Sequence, residues 1–179
     1  MNFPRRVFLA APLLAATTSA HAQKKLELPL TWYGVRVEDN AFTVEMPGIP
    51  DHRVVNDVSA HGTAFQLHSY SLEAGGSSYV AQTALYPADV DVTQPRAILQ
   101  AALNGRVQQL AGRKWTSIDW RLIEGASAVE SVGALAGGNA LRQLTLLKER
   151  RFVSLAFLGN AAGATGVEAE RFFKSLKLA

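Results

Sequence analysis

Cysteine is absent from the 179-residue sequence. Its absence excludes a disulfide framework, a thiolate nucleophile and cysteine-ligated zinc or iron–sulfur centres. The fold must therefore be stabilised by core burial. A hydrophobic content of 48% in a chain of this length supplies enough apolar surface for one ordinary domain.

Long apolar runs and strong charge are also missing. No stretch approaches the roughly 18 consecutive apolar residues of a membrane span, so we expect no stable membrane insertion. Lysine and arginine number 18 against 15 acidic residues, and the basic groups at 113–114 and 148–151 are short and scattered. Nucleic-acid binding needs a basic stripe with stacking aromatics, so we expect no nucleic-acid partner.

The first 22 residues have the pattern of a cleaved signal peptide. Arg5 and Arg6 precede a short apolar segment, and Ala20-His21-Ala22 is an Ala-x-Ala cleavage site. We expect cleavage after Ala22 and a periplasmic mature chain that begins at Gln23. Cleavage removes two arginines and no acid, so the formal charge falls from +3 to +1.

Two export routes are open. Arg5-Arg6-Val7-Phe8-Leu9 resembles the RRxFL core of a twin-arginine signal, which exports folded proteins. In the alternative, the two arginines are simply the charged region of an ordinary Sec signal.

The mature chain is predicted to be one α+β domain over residues 32–179, after a flexible leader at 23–31. The segment 152–158 is apolar on both faces, which is typical of a central strand. Short links between the last three strands indicate antiparallel neighbours. Helices are predicted over 91–112, capped by Thr93, and after a capping box at Thr165-Gly166-Val167-Glu168. Alternating or continuous apolar patterns predict strands at 32–37, 41–46, 64–72, 78–86, 126–135, 140–147 and 152–158.

Two strings carry a family resemblance: FxVxxPGxP at 42–50 and RFFxSLxL at 171–178. Together they resemble a broad set of bacterial exported proteins with the PsbP-like fold, which is named for an extrinsic subunit of photosystem II. The resemblance implies an antiparallel sheet flanked by helices on both faces, an α-β-α sandwich, over about residues 32–178. It implies no catalytic residue.

Candidate metal ligands are few. After cleavage the histidines are His52, His61 and His68, whose spacing matches no paired-ligand pattern on a helix or strand. Asp89 and Asp91 could bind a hard cation, but no EF-hand loop surrounds them. We interpret them as acids favoured near a helix N-terminus, and we predict no metal site.

Catalytic and cofactor motifs are also missing. Gly125-Ala126-Ser127-Ala128-Val129 lacks the second glycine of a nucleophile elbow. Gly133, Gly137 and Gly138 lie between strands, so they do not form a phosphate-binding loop. We therefore assign no catalytic residue and no cofactor, although a catalytic triad needs only geometry.

Three hypotheses follow. The first is a non-enzymatic periplasmic accessory or binding protein that engages an envelope protein or a small ligand through its sheet or a cleft beside a helix. The second is a hydrolase-type enzyme with dispersed residues, which should show a deep pocket and a perturbed ionisable group. The third is a structural homodimer paired through edge strands. Candidate residues for an exposed aromatic binding cluster are Trp32, Tyr33, Trp115 and Trp120.

Overall fold

A computed structural model describes residues 30–179. The predicted signal peptide, its cleavage site and most of the predicted leader lie outside the described residues. Within 30–179 the chain forms two antiparallel sheets and two α-helices, which is an α+β architecture. Neither helix is long and apolar enough to cross a membrane.

The larger sheet consists of two meanders. Tight turns join the three strands of the first meander and the four strands of the second. The meanders meet along one pair of strands, in which Tyr79 lies opposite Phe157. From edge to edge the strands are β3 (Asp51–Val58), β4 (Ala64–Ala74), β5 (Ser77–Leu85), β9 (Arg151–Asn160), β8 (Asn139–Lys148), β7 (Ala126–Ala134) and β6 (Ser117–Ile123).

The smaller sheet brings the start and the end of the domain together. Its strands, in spatial order, are β1 (Tyr33–Arg36), β2 (Phe42–Met46) and β10 (Lys177–Leu178). The helices are α1 (Pro95–Arg106) and α2 (Val167–Lys174). Phe172 of α2 is fully buried with Phe42 of β2, so both resemblance strings lie at this junction.

Neighbouring residues of the central strands enter different hydrophobic clusters. Ala128 and Leu146 belong to a cluster with Phe172 of α2. The next residues along the same strands, Val129 and Leu147, belong to a cluster with Leu99 and Leu103 of α1. Side chains alternate between the two faces of a strand, so each helix packs on a different set of strand residues.

Most of the predicted strands are present. The predicted central position of 152–158 is confirmed, because β9 lies between β5 and β8 and residues 153–157 are all buried. The predicted antiparallel links between β7, β8 and β9 are confirmed as well. Three edge strands, β3, β6 and β10, were not predicted.

The predicted helix boundaries were partly wrong. The first helix begins at Pro95 rather than at 91, because Thr93 bonds to Asp91 instead of capping the helix. It gives way to two short 3₁₀ turns at 107–109 and 111–113, where Gly112 has φ 67°. At the second helix Gly166 is the N-cap, and the Thr165 hydroxyl bonds to the carbonyl of Ala162, so the predicted capping box does not form.

One glycine of the sequence analysis has a packing role. Gly133 lies within β7, and a Cβ atom there would come within 2.6 Å of a methyl group of Leu110. Glycine at this position therefore lets the segment after α1 lie directly on the sheet. Gly137 and Gly138 have positive φ values in the turn between β7 and β8, as expected for a tight turn.

Candidate functional site

A pocket of about 440 Å³ lies between α1 and the outer part of the large sheet. Its helix wall is formed by Ile98, Ala101 and Ala102. Its sheet wall includes Phe65 at the start of β4 and Phe152 of β9. The small side chains on α1 leave space that larger residues would fill, so the pocket depends on the alanines of the helix.

Aromatic rings line the sheet side. Tyr86 contacts Phe65 edge-on at 5.7 Å and Phe152 at 5.9 Å between ring centroids. Burial and then the nearby Asp57 raise the pKa of Tyr86. The hydroxyl therefore stays protonated at neutral pH and is available as a hydrogen-bond donor.

One corner of the pocket is polar. The Ser59 hydroxyl donates to Oδ2 of Asp89 at 2.5 Å. The same hydroxyl oxygen accepts the backbone N–H groups of His61 and Thr63, each at 3.2 Å. The other carboxylate oxygen of Asp89, Oδ1, is buried without a hydrogen-bond partner among the described residues. Burying an unpaired polar atom costs stability, so this oxygen is a candidate ligand contact.

The Asp89 carboxylate is held in its charged form. The hydrogen bond from Ser59 lowers the pKa of Asp89, and the Thr63 side chain and the positive potential of His61 act in the same direction. Hydrogen bonds that favour the ionised form of a carboxyl group have this effect. The corner therefore presents a negative charge at neutral pH.

Arg150 holds the loop that carries Asp89. Its guanidinium donates to the backbone carbonyls of Tyr86 at 3.0 Å and Val90 at 2.7 Å, and also to that of Pro87. Three carbonyls of one loop are thus satisfied by a single side chain from the turn before β9. The position of Asp89 is fixed by this contact and by Ser59.

The geometry of Ser59 opposes nucleophilic catalysis. A catalytic serine needs a general base to take its proton, but the Ser59 hydroxyl donates to a carboxylate whose pKa is lowered. A carboxylate with a lowered pKa is a weak base, and two N–H groups already occupy the serine oxygen. The arrangement suits binding of a donor group better than bond cleavage.

The structure places the histidines and aspartates singled out in the sequence at two separate sites. His61 and Asp89 line the pocket together with Asp91. The side chain of Asp91 bonds to Thr93, which lowers its pKa. His52 and His68 lie together on β3 and β4, 3.2 Å apart, and Glu38 lies beside them. The Ser59–Asp89 contact leaves no motif in the sequence, because the two residues are 30 positions apart.

The four candidate aromatic residues do not form one cluster. Trp32 packs on Tyr79 and beneath Arg171, and Tyr33 beside it is 46% exposed. Trp115 and Trp120 are half-buried against the α1 cluster on the other half of the chain. The three tryptophans act as packing residues in two separate places.

Comparisons with known proteins bear on the fold alone. No protein-family model and no curated sequence matches the chain. The solution structure of cyanobacterial PsbP (CyanoP) from Synechocystis sp. PCC 6803 is similar, with a TM-score of 0.54 and 8% identity over 84% of this chain and 94% of that one. A crystal structure of a Pseudomonas aeruginosa protein of unknown function matches with a TM-score of 0.40 and 15% identity, over 74% of this chain and 85% of that one. The similarity to the cyanobacterial structure shows that the fold is PsbP-like.

Proposed function

We propose that this chain is an exported, non-enzymatic accessory protein that binds a small amphiphilic ligand in the pocket beside α1. The apolar part of the ligand packs against Phe65, Phe152 and the alanines of α1, and a protonated amine or similar cationic donor meets Asp89. The proposal rests on the buried Oδ1 of the ionised Asp89 carboxylate, which has no hydrogen-bond partner among the described residues and lies at the polar corner of a largely apolar pocket. A pocket of this size and composition suits a small-molecule site.

The layered arrangement supports the same assignment. The two helices contact alternating residues of the same strands, from which we infer that they cover opposite faces of the large sheet in an α-β-α sandwich. In that arrangement α1 is separate from the main cluster, which includes α2. The pocket opens where α1 meets the outer strands.

The binding proposal is tested with three ten-carbon probes that differ only in the head group: decylamine, decanol and decanoate. Backbone NMR shifts of the full chain are followed as each is added. We expect decylamine to bind most tightly and to shift the resonances of the pocket residues. Equal binding of all three, or shifts confined to other surfaces, would contradict the proposal.

Two substitutions with matched controls separate the apolar and charged parts. Ala102→Trp places a large ring in the pocket and should abolish binding, whereas Ala97→Trp, at an exposed position of the same helix, should leave it intact. Asp89→Asn removes the charge and should reduce the preference for the amine over the alcohol by on the order of 10-fold or more, as expected for a partly desolvated charge pair. An unchanged preference would exclude Asp89 as the ligand contact.

Export to the periplasm is the second part of the proposal, and it is supported by the residues that precede Gln23. Mass spectrometry of the exported protein should find Gln23 at the N-terminus. Retention of residues 1–22 in the exported protein would contradict the signal-peptide prediction. Replacing Arg5 and Arg6 together by lysine should block export by the twin-arginine route, and unchanged export would favour the Sec alternative.

A further inference from the structure

A second group of chemically active side chains lies away from the pocket. It consists of Glu38, His52 and His68, called here the histidine–glutamate cluster. His52 pairs with Tyr70 across β3 and β4, and His68 precedes Tyr70 by two residues on β4. Because side chains alternate along a strand, the two histidines share a face of the hairpin, opposite to the face on which Phe65 lines the pocket.

The distances in the cluster match those of ligands to a common metal ion. Nε2 of His52 lies 3.2 Å from Nδ1 of His68, and that Nδ1 lies 3.6 Å from a carboxylate oxygen of Glu38. One ligand atom from each of the three residues lies within 4.8 Å of the others. Zinc bound at about 2.0–2.1 Å in tetrahedral geometry places neighbouring nitrogen ligands about 3.3 Å apart. The histidine pair already has this separation.

Ring stacking holds the two imidazoles in place. The His52 ring stacks on Tyr70 with a centroid distance of 4.3 Å and an interplanar angle of 11°. The His52 and His68 rings are inclined by only 15° to each other. Nε2 of His52 and Nδ1 of His68 lie within hydrogen-bond distance, so at most one hydrogen atom lies between them and the lone pair of at least one ring is directed into the cluster.

The turn that carries Glu38 is fixed by the core. Val37, directly before it, and Phe42, directly after the turn, are both buried, and they are joined by a backbone hydrogen bond of 3.0 Å. Asp39 and Asn40 within the turn both have a φ of 53°, which these two residue types tolerate better than most. The turn between β1 and β2 thus holds the carboxylate of Glu38 beside the two histidines.

We propose that Glu38, His52 and His68 bind a divalent transition-metal ion, with zinc as the ion that the donors fit best. Two imidazole nitrogens and one carboxylate oxygen are the ligand set of borderline metals, whereas calcium and magnesium prefer oxygen ligands alone. His52 is exposed and Glu38 is half-exposed, so an ion can enter from solvent and retain a water molecule in the remaining position. The bound ion would tie the small sheet to the outer hairpin of the large sheet.

Zinc binding by the full chain, carrying no polyhistidine tag, is the direct test. Isothermal titration calorimetry with zinc alone should give one site per chain. Cobalt substituted for zinc should give the visible absorption bands of a four- or five-coordinate ion. No binding, or cobalt bands of a six-coordinate aqueous type, would overturn the proposal.

The variants assign the ligands. His52→Ala and His68→Ala should each weaken zinc binding by on the order of 100-fold or more, since loss even of outer hydrogen-bond partners of a metal ligand costs 10- to 100-fold. Glu38→Gln should weaken it to a smaller extent, because the histidine pair remains. His61→Ala is the matched control and should bind zinc as the unaltered chain does.

The opposite pattern of zinc affinities among these variants would overturn the proposal. Wild-type zinc affinity in both His52→Ala and His68→Ala, or loss of binding in the His61→Ala control, assigns the metal to other residues. Circular dichroism of each variant establishes that it is folded, which we expect for His52→Ala because His52 lies on an exposed edge strand.

Discussion

The centre of the large sheet and its outer hairpin differ in almost every physical respect. Residues 153–157 of β9 are all buried, whereas all eight residues of β3 are exposed. The centre stabilises the fold, while the turn and the strands of the outer hairpin carry Ser59 and the two clustered histidines. The candidate ligand-binding residues therefore lie where the sheet extends beyond its hydrophobic core. Strands in that region are exposed and accommodate polar residues.

Charged groups show the same contrast. Arg142 on β8 is 8% exposed and is fully engaged: it bonds to Glu130 at 2.7 Å, to Glu170 at 2.6 Å and to the carbonyl of Ala164 at 3.1 Å, and it lies over the ring of Phe173. In the pocket, by contrast, one oxygen of Asp89 has no partner among the described residues. A buried charged group whose polar atoms are all paired suits a structural role. A charged group with one unpaired oxygen can still accept a hydrogen bond from a ligand.

The largest expected effect is the loss of a central side chain. Leu155→Ala should lower the free energy of unfolding by about 3 kcal/mol, because it removes a fully buried leucine from the middle of β9. Urea denaturation measures the change. Val55→Ala on β3, where the side chain is 51% exposed, is the control and should cost less than about 1 kcal/mol. An equal loss of unfolding free energy in Leu155→Ala and Val55→Ala would contradict the contrast between the centre of the sheet and its outer hairpin.

Removing the buried guanidinium should have a somewhat smaller effect. Arg142→Met keeps an apolar side chain over Phe173 but removes the ion pairs to Glu130 and Glu170. Glu130 then keeps its ion pair with Arg121, and Glu170 keeps its ion pair with Lys174. We expect a loss of about 2 kcal/mol, below the cost of stranding a wholly unpaired buried charge. The control is Arg151→Met, which breaks the more exposed contact to Asp39 at 3.4 Å. That change should cost at most about 1 kcal/mol, and a greater loss than in Arg142→Met would contradict the ranking.

The smallest effect concerns acid stability. Hydrogen bonds from Lys174 and then from Arg142 lower the pKa of Glu170. A carboxyl group whose folded-state pKa is lowered contributes stability above its ordinary pKa and loses that contribution as the pH falls through the lowered value. Glu170→Gln should therefore flatten the decline in stability between about pH 5 and pH 2. Glu168→Gln, on the exposed side of the same helix, is the control. If the pH dependence of stability is the same in Glu170→Gln as in the unaltered chain, Glu170 does not contribute to acid unfolding.

The sequence predicts the interior strands well and the edges poorly, for a physical reason. The segment 41–46 alternates because one of its faces is buried, and the observed β2 burial follows that alternation residue by residue. Both β3 and β6 lie at sheet edges with little burial. Without a buried face there is no selection for an apolar period of two, and β3 shows none. In β6, by contrast, Ile118, Trp120 and Leu122 alternate with polar residues, so the sequence held a signal for this strand.

The candidate sites are not visible in sequence spacing because pairing across strands creates them. His52 and His68 are 16 residues apart and meet through the register of β3 with β4. Asp89 was interpreted as an acid near a helix N-terminus, yet its hydrogen bond to Ser59 places it in a pocket wall. A predicted hairpin over β3 and β4 would have been the one signal able to bring the histidines together, and the missing alternation in β3 concealed it.

The junction between the two meanders has a consequence for folding. Strand pairs within each meander are aligned by their tight turns, but β5 and β9 are separated by α1 and three strands. Their alignment must come from side-chain fit, with Tyr79 opposite Phe157 and Ala81 opposite Leu155. A one-residue slip would turn every side chain of the incoming meander to the wrong face. Correct joining of two locally formed halves is thus a slow, long-range search, and mutations at this junction should change the rate of folding more than those at either outer edge.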